Sequence, residues 1–178
     1  KSKEMNDMKH VFIVNPCAGK AKNKGAEIIK PLIEEFFASY DEYYEIHETT
    51  APYEGIDFVR NYPVGEETVR FYACGGDGTL SEVVNACAEQ KNAEVAAIPM
   101  GSGNDFIRIF GKKEDLLDIK SHILGTPMEF DLIKYEKDLH IGTTCCYEYG
   151  NNPTRKCHRE EQGGVGKYCM LCTLFGRR

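Results

Sequence analysis

A chain of 178 residues, 42% of them hydrophobic, is long enough for one domain with a sizeable core. Its formal net charge of -6 gives no electrostatic case for nucleic acid and argues against simple adsorption to an anionic membrane. No stretch approaches the roughly eighteen apolar residues of a membrane span. The first ten residues, KSKEMNDMKH, lack the apolar core of a secretory signal, so the expected compartment is the cytoplasm, where thiols stay reduced.

HVFIVNP (10–16) is a β-branched run that ends at Pro16, the pattern of a strand covered on both faces. CAGKAKNKG follows as a basic loop. A helical stripe of Ile28, Ile29, Leu32, Ile33, Phe36 and Phe37 comes next, with Pro31 marking either its start or a kink. YYEIHETT (43–50) reads as a second strand and YEGIDFVRNY (53–62) as a short helix. TVRFYAC (68–74) is the third strand.

After the glycines of GGDGT, a helix is expected to start at Thr79, which has capping-box spacing to Glu82. Leu80, Val83, Val84 and Cys87 fall on one face of it. AEVAAIPM (93–100) is the fourth strand, ended by GSGND. DLLDIKSHIL (115–124) reads as a helix lined by Leu116, Ile119 or Lys120, and Ile123, with Gly125 as its stop. MEFDLIKYE (128–136) reads as a fifth strand. This alternation predicts an α/β fold: an open, mostly parallel sheet with helices on both faces. Ligands of such sheets bind outside the carboxyl ends of the strands, where NPCAGK, GGDGT and PMGSGND all lie.

Gly75, Gly76 and Gly78 allow backbone N–H groups to approach an anion, and the helix start behind them favours phosphate. Asp77 is a like charge there. It points either to Mg²⁺ or general-base chemistry, or to a plain N-terminal cap. Asn15, Gly19 and Lys20 in the first loop, and Gly101, Ser102, Gly103 and Asn104 in the third, are further candidates. Three such loops on one edge predict a nucleotide phosphate site. None has the spacing of a P-loop or of G-x-G-x-x-G.

N-P-x-A-G-K, G-G-D-G-T-x-x-E-V-V-N and P-x-G-S-G-N-D-F-x-R, in that order, resemble the diacylglycerol kinase catalytic domain family, with its bacterial lipid kinases and sphingosine kinases. The likeness runs from about Lys9 to about Tyr135. NAD kinases and phosphofructokinases share a related G-G-D-G-T loop and nucleotide-binding fold, but Asn104, Asp105, Phe106 and Arg108 are similar to the lipid kinases.

The resemblance implies transfer of the γ-phosphoryl group of ATP to a lipid hydroxyl such as that of diacylglycerol, with Mg²⁺, and peripheral contact with a membrane surface. It implies that Asn15, Pro16, Ala18, Gly19 and Lys20 contact phosphates and that Thr49 touches the nucleotide. Gly75, Gly76, Gly78, Thr79, Leu80 and Ser81 would wrap the phosphates, and Gly101, Ser102 and Asn104 would line the same site. Asp77 matches an acid used near the reacting hydroxyl or its metal. Asn104 and Asp105 match a pair expected to hold their loop in shape. Glu82 is either a capping residue, the preferred reading, or an indirect metal contact.

The expected division is a nucleotide-binding catalytic domain over 9–136 and an atypical Cys-rich tail over 137–178. The second, β-rich domain of the family, which shapes the lipid cleft, is expected to be missing here, so the alternative reading is a truncated, catalytically incompetent nucleotide-binding module. The tail reads as a truncation with a frameshifted end, as a small zinc site of Cys157, His158, Cys169 and Cys172, or as a disordered or partner-ordered segment; the first is preferred. Core surface exposed by truncation would favour a dimer, but no interface is legible.

Overall fold

The computed structural model describes residues 8–19, 24–88, 90–111, 116–128, 130–131, 133–135, 140–142 and 167–168. The expected elements appear in order as β1 (Lys9–Val14), α1 (Lys24–Phe37), β2 (Tyr44–Glu48), α2 (Glu54–Asn61), β3 (Val69–Gly75), α3 (Asp77–Cys87), β4 (Ala93–Pro99) and α4 (Ile119–Leu124). β1 to β4 form one parallel sheet in the order β2-β1-β3-β4. The chain moves outward from β1 to β2, then returns past β1 to β3. Crossovers of one hand then put helices on opposite faces, and the reversal opens a crevice between the carboxyl ends of β1 and β3.

Strand residues alternate between two cores, as a period of two demands. Val11, Ile13, Val69, Phe71, Ala73, Val95 and Ala97 meet α2 and α3 on one face. Phe12, Val14, Tyr72, Cys74, Ala96 and Ile98 meet α1 and α4 on the other. Phe12 and Tyr72 are register partners and stack with ring centroids 4.2 Å apart. Truncating an aromatic buried this deeply costs about 3–5 kcal/mol.

The second core also contains a polar network. Tyr72 lies 2.7 Å from His10 Nδ1, and His10 Nε2 lies 2.6 Å from a Glu42 carboxylate oxygen. Burial holds the His10 pKa below its ordinary value despite Glu42, so the ring is neutral, accepts from the Tyr72 hydroxyl and donates to Glu42. Arg70 donates to Glu94 at 2.8 Å and to the carbonyls of His122 and Ile123 at 2.9 and 2.8 Å.

Three local expectations are corrected. α1 runs through Pro31, so of the two readings of that residue the start is excluded; Pro31 itself is exposed. Only Ile29, Ile33 and Phe37 of the α1 stripe are fully buried, while Ile28 and Leu32 are 60% and 41% exposed, because six residues cover a wider arc than one helix face can bury. Gly125 directly follows the last residue of α4, as its expected stop, and does so in an extended conformation (φ -71°) with no left-handed cap. The Arg70 guanidinium takes two of the carbonyls that such a cap would have served.

The third correction concerns the fifth strand. Its residues form β5 (Phe130–Asp131) and β6 (Ile133–Tyr135), outside the parallel sheet. β5 pairs antiparallel with β8 (Lys167–Tyr168), and β6 with β7 (His140–Gly142). MEFDLIKYE alternates apolar and charged residues, which suits an antiparallel pair with one wet face. The expected zinc ligands Cys157, His158, Cys169 and Cys172 lie outside the described residues. Among the described residues no three His, Cys, Asp or Glu side chains gather as metal ligands, and no helix is long and apolar enough to cross a membrane.

Candidate functional site

All four parallel strands end on one edge, so the loops after β1, β2, β3 and β4 share a rim. Asn15 leaves β1 through an Asx turn, its side-chain oxygen accepting the Cys17 N–H at 2.9 Å. Its amide nitrogen donates to the Thr79 hydroxyl at 3.1 Å, tying the first loop to α3. Gly19 has φ +91°, and a Cβ there would stand 2.9 Å from the Met100 carbonyl. Ala18 is buried beneath the loop, and Pro16 is partly exposed. Lys20 lies outside the described residues.

The β3 and β4 loops meet backbone to backbone. The N–H groups of Met100 and Gly101 both donate to the Gly75 carbonyl, at 2.8 and 3.0 Å. A Cβ on Gly101 would come 2.5 Å from the Gly76 Cα, so glycine is required for this approach. Asp77 closes the junction. Its Oδ2 accepts the Asn104 N–H at 2.7 Å and its Oδ1 accepts the Asp105 N–H at 2.8 Å. Asn104 sits at φ 57°, and its side-chain amide donates to the Gly101 carbonyl at 2.8 Å. Ser102 is exposed on the outside of this turn.

α3 starts at Asp77 with Gly76 as its N-cap, two residues earlier than expected. Thr79 is therefore inside the helix, and the reciprocal capping box with Glu82 does not form. The Thr79 hydroxyl serves Asn15, and Glu82 accepts the Tyr53 N–H from the loop after β2. Tyr53 adopts a left-handed conformation (φ 68°) there. Burial pushes the Glu82 carboxyl above its ordinary range, against the Tyr53 bond. Gly78 is exposed, and a methyl group added to it would meet nothing within 4 Å, whereas Leu80 turns into the core. Ser81 is half-buried and accepts from Asn85.

Beside these loops lies a cleft of about 880 Å³. Asn15, Pro16, Cys17 and Thr79 line one part of it; Thr49, Thr50, Ala51 and Pro52 line the wall after β2. Glu27, Lys30, Glu48 and Glu82 supply its charges. A second groove of about 780 Å³ runs between β2 and α2 and has none of the glycine-loop residues in its lining, so the rim chemistry belongs to the first. No motif in the sequence singles out Glu27, Lys30 and Glu48. Their only signal is position, at the end of β2 and in the first half of α1.

Glycine-built loops clamped together at the switch point of a parallel sheet define an open α/β domain whose candidate ligand rim lies at the carboxyl ends of the strands. The sequence profile of the diacylglycerol kinase catalytic domain matches residues 9–135, and the chain belongs to that family of lipid kinases. It is 52% identical over 46 residues to a diacylglycerol kinase of Staphylococcus epidermidis, covering 25% of this chain and 15% of that protein. It is 39% identical over 71 residues to a diacylglycerol kinase of Staphylococcus carnosus, covering 39% of this chain and 23% of the relative. A diacylglycerol kinase crystal structure from Bacillus anthracis superposes with TM-score 0.54 at 23% identity, over 71% of this chain and 46% of that one; this likeness speaks for the fold. The chain spans less than half the length of each of these relatives.

Proposed function

We propose that this chain carries the nucleotide-binding part of a lipid kinase, which transfers the γ-phosphoryl group of ATP to a lipid hydroxyl such as that of diacylglycerol. The observation that carries this reading is the rim where Gly76 meets Gly101 and Asp77 binds the backbone of Asn104 and Asp105. Family membership supports it. The phosphates would lie against Gly78 and the first turn of α3, where free N–H groups and the helix dipole favour anions. Asn15, Thr79 and Lys20 would complete their surroundings, with Thr49 on the side wall.

Asp77 is the carboxylate at the centre of this rim, and its two bonds to backbone fix its orientation. It would hold Mg²⁺ or face the reacting hydroxyl. Mg²⁺ commonly takes one or two carboxylates and completes its shell with water and phosphate, which is compatible with so few acids here. When bound, the ion supplies neutralisation of phosphate charge. Asn104 and Asp105 act as positioning residues, since their N–H groups hold Asp77.

Cys17 is exposed and lines the cleft, so it reports on occupancy. Mg·ATP should slow maleimide labelling of the Cys17 peptide, read by mass spectrometry, and raise the melting temperature. Radiolabel from γ-labelled ATP should then appear on diacylglycerol in mixed micelles. Failure of ATP to protect Cys17 or to shift melting would end the nucleotide reading. Protection without labelled lipid would leave nucleotide binding standing and remove the transfer activity from this chain.

A further inference from the structure

Resting on the nucleotide reading above, we infer that Glu48, oriented by Lys30, reads the ribose hydroxyls of the bound nucleotide and makes the cleft selective for ribonucleotides over deoxyribonucleotides. The two ends of the cleft differ in chemistry. Asn15 and Thr79 lie at the glycine loops, whereas Glu27, Lys30 and Glu48 lie between α1 and the end of β2. Glu27 and Glu48 outnumber Lys30, so this end keeps a net negative charge that disfavours phosphate and suits an uncharged part of the ligand.

Glu48 is the last residue of β2 and the register partner of Val14, the residue before Asn15. The acid therefore stands one strand, about 4.8 Å, to the side of the first loop. Ile46, two residues earlier, packs into the α1 layer, and Glu48 faces the same side, where its Oε2 bonds the Lys30 ammonium. Its Oε1 has no hydrogen-bond partner among the described residues, and the side chain is 38% exposed. Lys30 offsets the charge of Glu48, so the acid does not repel the nucleotide as a whole.

A carboxylate only accepts hydrogen bonds. A ribose diol presents two neighbouring O–H donors, which suits it. Dinucleotide-binding sheets use the same division: phosphate at the first strand-to-helix turn, ribose hydroxyl on an acid from the neighbouring strand.

The test is equilibrium binding of Mg·ATP, 2′-deoxy-ATP, 3′-deoxy-ATP and Mg·GTP to the 178-residue chain and to its Glu48→Gln and Glu48→Ala variants. The unaltered chain should bind ATP about tenfold more tightly than either deoxy analogue. Glu48→Ala should bring ATP down to the deoxy level and leave the deoxy affinities where they were. Glu48→Gln, which keeps shape and one acceptor, should fall between. Circular dichroism and melting establish that each variant is folded, and Glu48→Gln carries the test if Glu48→Ala is not. Equal affinity of the unaltered chain for ATP and its deoxy analogues overturns the assignment. So does uniform weakening of all three by Glu48→Ala. Loss of ATP-over-GTP preference with the ribose gap intact would move Glu48 to the base and also overturn it. If ATP does not bind at all, the nucleotide reading and this one fall together; ATP binding with no ribose gap removes only this one.

Discussion

Gly78 and Gly101 look alike in the sequence and do opposite things in the fold. At Gly101 a methyl group collides with the Gly76 backbone at 2.5 Å, and backbone cannot yield as a side-chain tip can. Gly101→Ala should therefore cost about 1–3 kcal/mol in urea unfolding and separate the two loops. At Gly78, nothing lies within 4 Å of the added methyl, and the position is inside α3. Gly78→Ala should raise stability by about 0.5–1 kcal/mol from helix propensity alone. It should also weaken ATP binding about tenfold or more, read by titration, because the methyl stands where phosphate is proposed to approach. Unchanged affinity would remove the close-approach role of Gly78. Asp77→Ala takes away the acceptor for two backbone N–H groups, and should cost about 1–3 kcal/mol in addition to any effect on turnover. The glycine cluster was legible in the sequence. The division of labour within it was not, since each role depends on a loop distant in the chain.

Elements were legible where a single periodicity governed them. β1, β3 and β4 are mostly apolar runs, broken only by Lys9, His10, Arg70 and Glu94, and all three are covered on both faces. Helix ends were less legible, because tertiary partners replaced local signals. Thr79 and Glu82 have the spacing of a capping box, yet Asn15 and Tyr53 claim their side chains. Gly125 is the stop that the sequence suggests, yet Arg70 and not a left-handed cap binds the α4 carbonyls. The layer between β1, β3, α1 and α4 also predicts a pH response. Burial holds the pKa values of His10 and His122 below the ordinary 6.5. Between that value and the depressed ones, only the unfolded chain binds these protons, so stability rises with pH. It is complete above 6.5 and is lost as pH falls below it. Glu82 acts in the opposite sense, losing stability as pH rises past its ordinary 4.5. Urea midpoints should be similar at about pH 7.5 and 7.0 and then decline towards about pH 5.5. His10→Gln should flatten that decline; an unaltered decline would clear His10 of the role.

At the scale of the molecule, the sheet order sets both rigidity and the place of the rim. β1 and β3 are flanked on both sides, whereas β2 has a neighbour on one side among the described residues. Native-state hydrogen exchange should be slowest in Phe12–Val14 and Phe71–Cys74 and faster in β2. Equal protection across the sheet would contradict this ranking. Alternation of strands and helices was enough to predict a parallel sheet and the edge on which its glycine-rich loops gather. It overcounted the sheet by one strand, because a run of alternating charge and apolar residues reads as a strand whichever partner it finds. The bond pattern around Asp77 has a consequence for kinetics. A grip whose backbone is already latched before any guest arrives gives up little disorder on capture. Association should then proceed in a single fast phase without a slow rearrangement, and the backbone of residues 75–77 and 101–105 should move by less than about 1 Å between empty and filled crystals.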